Sequence, residues 1–397
     1  MKILMVLESD FPPDSRVEKE AISLFEQGHE IHIICYSNER LPEFELKDKF
    51  TIHRIKFSGF FRYKISVLAL VLPFYFIKWR KAINRSYKKY LFDVIHVHDL
   101  PLSKVGYYFK KKYGCQLVCD QHEFYSNWIY ETAHMNTLLG KIIARISNWK
   151  SYEKKYLNLA DLIITVAKPL EENYLQKYDV KKDKIITVPN TPTKNIYCRK
   201  NIQQEIVEKY KKDFVIFYAG GIDILRGIDT AIRALKIIKG KIPNVKLLLC
   251  GKIRKPYDPF KTANIYNVTD VVDFKGWIDE DEIPSYISAS QICFFTPPVN
   301  RDEINKTIAT KIYQYAIMER PMIVSDAKMM KDFVEKNKLG IAIKTNDSEA
   351  FANAVFDIYN HKFSLGKNDA NEDWLWEKTV SPLILKYNYL EQIRNGK

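Results

Sequence analysis

A chain of 397 residues exceeds what one hydrophobic core ordinarily serves, so two domains are expected. Hydrophobic residues at 46% and charged residues at 28% exclude a disordered or fibrous chain. The formal net charge of +14 implies a basic surface suited to anionic partners, yet its basic residues are spread out, with only short clusters such as Lys110 to Lys112 and no RGG or RS tract, which argues against nucleic acid.

In chain order, Lys2 to Leu7 reads as a short buried strand, followed by the loop ESDFPPDSR. Val17, Ala21, Leu24 and Phe25 have helical spacing, the helix ending at Gly28, and Ile31 to Tyr36 is the next strand. This strand–helix–strand unit starts a doubly wound parallel sheet, but its loop lacks the glycines of a dinucleotide fingerprint. The first strand begins without the long apolar region and cleavage site of a signal peptide, which predicts a cytoplasmic protein. Six scattered cysteines fit buried free thiols in a reducing compartment.

Ile65 to Ile77 is the most apolar run, flanked by Arg62, Lys64, Lys78, Arg80 and Lys81. It is too short to span a bilayer and is interrupted by Pro73. Two readings stand: a helix packed on the sheet, or a segment lying at an anionic membrane surface. Further strands follow at Val94 to Val97, Gln116 to Cys119, Leu162 to Val166 and Ile185 to Val188. A polar stretch after Pro189 reads as a linker with a lead-in helix. A second series then runs through Phe214 to Tyr218, Lys246 to Cys250, Val272 to Phe274, Ile292 to Phe295, Met322 to Val324 and Gly340 to Ile343. The fold class is therefore α/β, with two Rossmann-like doubly wound parallel-sheet domains expected to face a cleft. The expected boundaries are 1–195, 196–370 and a C-terminal helix over 371–397, carrying Trp374 and Trp376, that packs back on the first domain.

Asn305 to Asp326 carries the strongest single pattern. Asn305 is placed to cap a helix whose Ile308, Ile312, Tyr315 and Ala316 share one face, with Thr307, Lys311 and Gln314 on an adjacent stripe. Pro321 stops it. Such a helix N-terminus suits an anion, although an ordinary packed helix has the same spacing. The turn Gly220-Gly221 after a strand, with Arg226 before the helix Ile228 to Ile238, also suits a phosphate. Arg226 and Lys311 together would stabilise a departing diphosphate without a metal. In the first domain, His96, His98 and Asp99 end one strand and Asp120, His122 and Glu123 the next. Histidines there serve as acid, base or sugar hydrogen-bonding groups; a metal held by His98 and His122 lacks a third ligand at recognisable spacing. Asp279-Glu280-Asp281 has the form of a DxD metal clamp, but its position at a helix start favours ordinary capping.

The ordered set SRVEKEA, FDVIHVHD, DQHEF, ADLIITVA, VPN, YAGGIDILRGID, FKGWI and TKIYQYAIMERPMIVSD resembles the family 4 retaining glycosyltransferases, which have the GT-B fold, across nearly the whole chain. The resemblance implies transfer from a nucleotide-sugar, with retention and without a metal cofactor, to a polysaccharide or glycolipid acceptor, often at the inner membrane face. It implies donor contacts at Gly220, Gly221, Arg226, Trp277, Ile278, Asn305, Lys306, Thr307, Lys311 and Gln314. It implies His122 as the catalytic-side histidine, with Asp14, Ser15, Arg16 and His98 on the acceptor side.

The pattern departs from the family at three places. Lys306 and Gln314 stand where the E-x7-E motif has carboxylates, and Gly221 stands where an arginine is usual. Gln314 retains an amide oxygen for ribose hydroxyls, and Lys306 is expected to replace part of the lost arginine charge. A divergent but active transferase is the expectation; the alternative is a catalytically silent GT-B-shaped subunit supporting a partner glycosyltransferase.

Overall fold

The computed structural model describes residues 1–37, 41–56, 70, 74–126, 146–300, 302–366 and 369–396. The chain forms two units, one of Met1–Pro189 with Val380–Lys397 and one of Asn190–Thr379.

The first unit is built on strands β1 (Lys2–Asp10), β2 (Glu30–Tyr36), β3 (Phe44–Leu46), β4 (Thr51–Ile55), β5 (Val94–His98), β6 (Gln116–Gln121), β7 (Leu162–Thr165) and β8 (Ile185–Thr187). They lie in the order β3-β4-β2-β1-β5-β6-β7-β8, every pairing parallel except β3 with β4. Ile3, Leu4, Met5 and Val6 are fully buried, as a central parallel strand with both faces covered requires. The β3–β4 hairpin was not expected from the sequence. It is a short, partly exposed edge, and with Thr51, His53 and Arg54 among the five residues of β4 it shows no clear period of two.

Asp14 caps the helix Ser15–Glu26 by accepting a hydrogen bond from the Val17 amide at 3.1 Å. Most of the apolar run Ile65 to Ile77 lies outside the described residues. Its last part opens the helix Phe74–Tyr90, which buries Tyr75, Phe76 and Trp79 and exposes Phe74 and Ile77. Among the described residues no helix is long and apolar enough to cross a membrane.

The second unit holds β9 (Phe214–Ala219), β10 (Val245–Cys250), β11 (Val272–Gly276), β12 (Ile292–Phe295), β13 (Met322–Ser325) and β14 (Gly340–Ile343). Their order is β11-β10-β9-β12-β13-β14 and every pairing is parallel. The direction of winding reverses at β9 and β12 here, and at β1 and β5 in the first unit, so each sheet has a switch point at which its carboxyl ends open a crevice.

Two expectations are corrected. The helix expected from Asn305 spans Thr310–Ile317, with Ala309 at its N-cap and no side-chain cap bond. Asn305 sits in a separate 3-10 turn, Ile304–Lys306, where its side chain accepts from the Lys328 amide at 3.1 Å instead. At the C-terminus, Trp374 does not return to the first unit: its ring packs on Phe333 at 5.1 Å within the second. The return starts at Val380, and the helix Ser381–Asn395 docks through Tyr387, whose hydroxyl lies 2.8 Å from His96 Nδ1, and through Leu390, whose carbonyl accepts from Gln116 Nε2 at 2.9 Å. The six cysteines are free, and all but Cys198 are buried.

Candidate functional site

Each unit gathers charged residues at its switch point. In the first unit the cluster is built by β1's following helix and by the ends of β5 and β6. Arg16 points inward from the first turn of its helix and is only 4% exposed. Its guanidinium grips Asp120 through Nε and Nη2, each at 3.2 Å, donates to the Val188 carbonyl at 3.0 Å and lies 2.9 Å from Glu20, one helical turn on. His122 sets Nε2 2.8 Å from Asp120 Oδ2 and Nδ1 3.6 Å from Asp99 Oδ1. Asp99 holds a positive φ of 63°, sparsely populated for a residue with a β-carbon, at the mouth of the site.

The charges of this cluster are set by one another. Burial opposes ionisation of His122, but Asp120 and then Asp99 raise its pKa to about 10, so it is an imidazolium at neutral pH. Burial likewise works against the Asp120 carboxylate, yet Arg16 and His122 hold it well below its ordinary range. Glu20 is pushed up to about 8 by burial and by Asp120 beside it, against the pull of Arg16. Burial, with His98 stacked at 4.4 Å, keeps His96 neutral. Glu20, His96, His98 and Asp120 bring ligand-type atoms within 4.8 Å of one another, a grouping the sequence spacing did not show. Both carboxylates, however, are in contact with the Arg16 guanidinium.

Of the residues expected on the acceptor side, Ser15 is exposed and Asp14 half-buried, while Arg16 and His98 are buried; His122 is 23% exposed at its side chain. Glu20 and Tyr387 were missed as members of the cluster. Glu20 had a signal, its i,i+4 spacing from Arg16; Tyr387 had none, because it arrives from a helix 291 residues beyond His96.

In the second unit, β9 ends in Gly220 and Gly221. Gly220 has a φ of 140°, and a β-carbon there would stand 3.3 Å from Lys311 Nζ. The turn runs through Asp223, which accepts from the Leu225 amide at 2.9 Å, to Arg226 and then Gly227, whose φ of 75° starts the helix Ile228–Ile238. Arg226 Nε is buried without a hydrogen bond, 3.5 Å from Asp223 Oδ2. Lys311 lies with Nζ 4.6 Å from the Phe295 ring centre and 5.2 Å from that of Tyr218. Burial, reinforced by the Arg226 charge, lowers its pKa to about 7. Arg254, on the loop after β10, lays its guanidinium against Gly221.

Thus Gly220, Arg226 and Lys311 converge. Trp277 is 70% exposed and lines, with Gly251 and Phe274, a recess of about 610 Å³; Ile278 follows it half-buried. Gly251 ties this recess to the glycine turn, since a β-carbon on it would overlap the Gly220 carbonyl at 1.8 Å. Gln314 follows Lys311 on the same helix, half-buried. The Asn305–Thr307 side chains have local partners: Asn305 donates to the Val299 carbonyl, Lys306 pairs with Asp302, and Thr307 donates to the Glu303 carbonyl at 3.2 Å. Lys306 thus has a carboxylate partner of its own, where the sequence suggested a substitute for the arginine lost at 221. Asp279 to Asp281 form a turn ahead of the helix Ile283–Ala289, in which the Asp279 amide donates to Glu282 at 3.1 Å.

The sequence matches the family described as Glycosyl transferases group 1 over residues 199–371 and that described as Glycosyltransferase Family 4 over residues 17–191. A Bacillus subtilis (strain 168) protein named as a glycosyltransferase, EpsD, is 22% identical over 351 residues, covering 84% of this chain and 81% of its own. Among solved structures, sucrose-phosphate synthase from Thermosynechococcus elongatus superposes with a TM-score of 0.76 at 19% identity, over 99% of this chain and 100% of that one. Anabaena HepE in complex with UDP and glucose gives 0.69 at 14% identity, over 98% and 100%. The two family matches fall on the two units in turn and together span most of the chain: it belongs to the glycosyltransferases, with a first half of family 4 type, a second half of group 1 type and the GT-B fold.

Proposed function

We propose that this glycosyltransferase moves a sugar from a nucleotide-sugar to a polysaccharide or lipid-linked acceptor, with retention and without a metal ion. The bond from the anomeric carbon to the diphosphate breaks, the acceptor oxygen takes that carbon and loses its proton, and the nucleoside diphosphate departs. The observation that carries the reading is the convergence of the Gly220 turn with Arg226 and Lys311, a pocket of basic side chains beside a glycine turn at a switch point. The Trp277 recess beside Gly251 supports a nucleobase subsite. His122, held charged by Asp120, supports a donor of hydrogen bonds to the transferred sugar or acceptor. UDP in the similar HepE structure makes UDP-sugars the first donors to try.

A peripheral site at an anionic membrane, on the cytoplasmic face, is part of the proposal. Arg80, Lys104, Lys111 and Lys112 surround a recess of about 350 Å³ on the first unit, and no carboxylate of a described residue pairs with them. Arg80 lies 4.4 Å above the Tyr108 ring, and burial followed by Arg80 and Lys155 lowers the Lys104 pKa. Sedimentation with phosphatidylglycerol vesicles, but not with phosphatidylcholine ones, is the expected result, abolished by R80E with K104E.

One observation favours a second reading, a binding subunit without turnover: no carboxylate stands at 306 or 314. A thermal-shift panel of UDP-, GDP-, ADP- and dTDP-sugars separates the readings. Donor at a hundredfold over its Kd adds about 2.7 kcal/mol to the folded state and raises Tm. A shift with nucleotide release in the presence of membrane extract supports the transferase; a shift without release supports the subunit; no shift with any donor overturns both.

A further inference from the structure

We propose that Arg254 is a donor-diphosphate residue, filling from a neighbouring loop the place that a side chain at residue 221 would otherwise take. The inference rests on the donor-site reading above and adds to it a residue that no motif marks. Gly220, Gly227, Gly251 and Gly276 all have positive φ, but Gly221 does not. Its backbone conformation therefore does not itself call for glycine, and what stands against a β-carbon there is its surroundings. A β-carbon at 221 would meet Arg254 Nε at 2.9 Å, Cζ at 3.1 Å and Nη2 at 3.2 Å, and these are the three closest atoms. The guanidinium thus occupies the side-chain volume of residue 221.

The loop that brings Arg254 there is fastened to the turn. The Ile222 amide donates to the Lys252 carbonyl at 3.0 Å and the Arg254 amide to the Ile222 carbonyl at 2.9 Å, closing a parallel bridge between Ile222 and Ile253. The Gly220 amide donates to the Cys250 carbonyl at 2.9 Å, so both strands end in register. The Arg254 side chain is 61% exposed, and its ion-pair distance to Asp223 is 3.6 Å, beyond a hydrogen bond. Asp223 is also the 3.5 Å partner of Arg226. Arg226 and Arg254 therefore share one carboxylate, and nearby Lys311 has none among the ion pairs of the described residues. A diphosphate supplies the missing negative charge, and a guanidinium with open donors grips it in bidentate fashion.

The test is calorimetric titration of the full chain with UDP, GDP, ADP and dTDP and with the matching nucleosides. R254A is expected to weaken the preferred nucleoside diphosphate by roughly tenfold or more, leave nucleoside affinity unchanged and reduce the salt dependence of binding. Its ligand-free Tm stays that of the unsubstituted chain, and R254K recovers part of the affinity. With the volume vacated, G221R in an R254A background regains affinity over R254A alone. Unchanged diphosphate affinity in R254A while R226A loses it overturns the assignment, as does a drop in Tm accompanying the loss. A double variant no tighter than R254A overturns the shared volume. If the unsubstituted chain binds no nucleoside diphosphate, the donor site itself falls and the inference with it.

Discussion

Lys311 is a lysine whose charge at neutral pH depends on what lies beside it. Burial among aromatic rings, followed by the Arg226 charge, brings its pKa down to about 7. A bound diphosphate raises that pKa again, so binding above pH 7 takes up a proton. Nucleoside diphosphate affinity is therefore expected to fall as pH rises from 7 to 9, and K311R to flatten the profile; titration in buffers of different ionisation enthalpy reads the proton directly. In the ligand-free chain the sign is that of a depressed pKa. The stability Lys311 contributes is full above its unfolded value of 10.5 and is lost as pH falls through about 7. His122 has the opposite sign. Its raised pKa contributes stability that is full below 6.5 and lost as pH rises through about 10. Proton NMR is expected to find its ring charged at pH 8. Asp120→Asn removes the partner that raises that pKa and one of the two carboxylates at the buried Arg16, at a cost of about 3 kcal/mol in denaturant unfolding.

At the scale of elements, the turn Gly220 to Gly227 depends on two close backbone approaches. A β-carbon at Gly227 would lie 1.9 Å from the Thr296 carbonyl oxygen, whereas Gly114, at nearly the same φ, has nothing within 4 Å. Gly114→Ala should cost about 1 kcal/mol, the left-handed backbone penalty alone. Gly227→Ala should cost roughly 3 kcal/mol and reduce nucleotide binding, because the backbone must move. Equal costs at the two positions would show that φ alone matters. Most elements were legible: the helix Ile228–Ile238 and the strands Ile292–Phe295 and Gly340–Ile343 have the bounds that apolar periodicity gives. The misses have local causes. Asn305 has the chemistry of a cap but is used by the Lys328 amide across the fold, so helix Thr310–Ile317 starts later with no side-chain cap. The β3–β4 hairpin is too short and too polar for a period of two to stand out. In the candidate site, Arg226 and Lys311 could be proposed from sequence because one precedes a readable helix and the other lies on one, while Arg254 is placed by a parallel bridge that pairs residues 31 positions apart.

On the scale of the whole molecule, the segment over 371–397 divides between the two units. Trp374 belongs to the second unit, while Tyr387 and Leu390, less conspicuous in sequence, fix the final helix to the first. That helix contributes fully buried Leu383 and Tyr387 and a pairing of Arg394 with Asp93 at 2.5 Å. A chain cut to residues 1–189 should therefore be less stable and more aggregation-prone than the same segment supplied with a 380–397 peptide. Thermal unfolding with and without the peptide measures the difference, and an unaltered Tm would show the helix to be dispensable.

The docking of Ser381–Asn395 has a consequence in time. Pro189 and Val380 are where the chain leaves and re-enters the first unit, so the second unit is nested within the first along the polypeptide. During synthesis the eight-stranded sheet precedes the second unit, yet the segment that covers its His96 is made only after that unit. The nested unit, contiguous from Asn190 to Thr379, is complete sooner. The half of the enzyme made first is thus the half finished last, and until then it waits with part of its core uncovered.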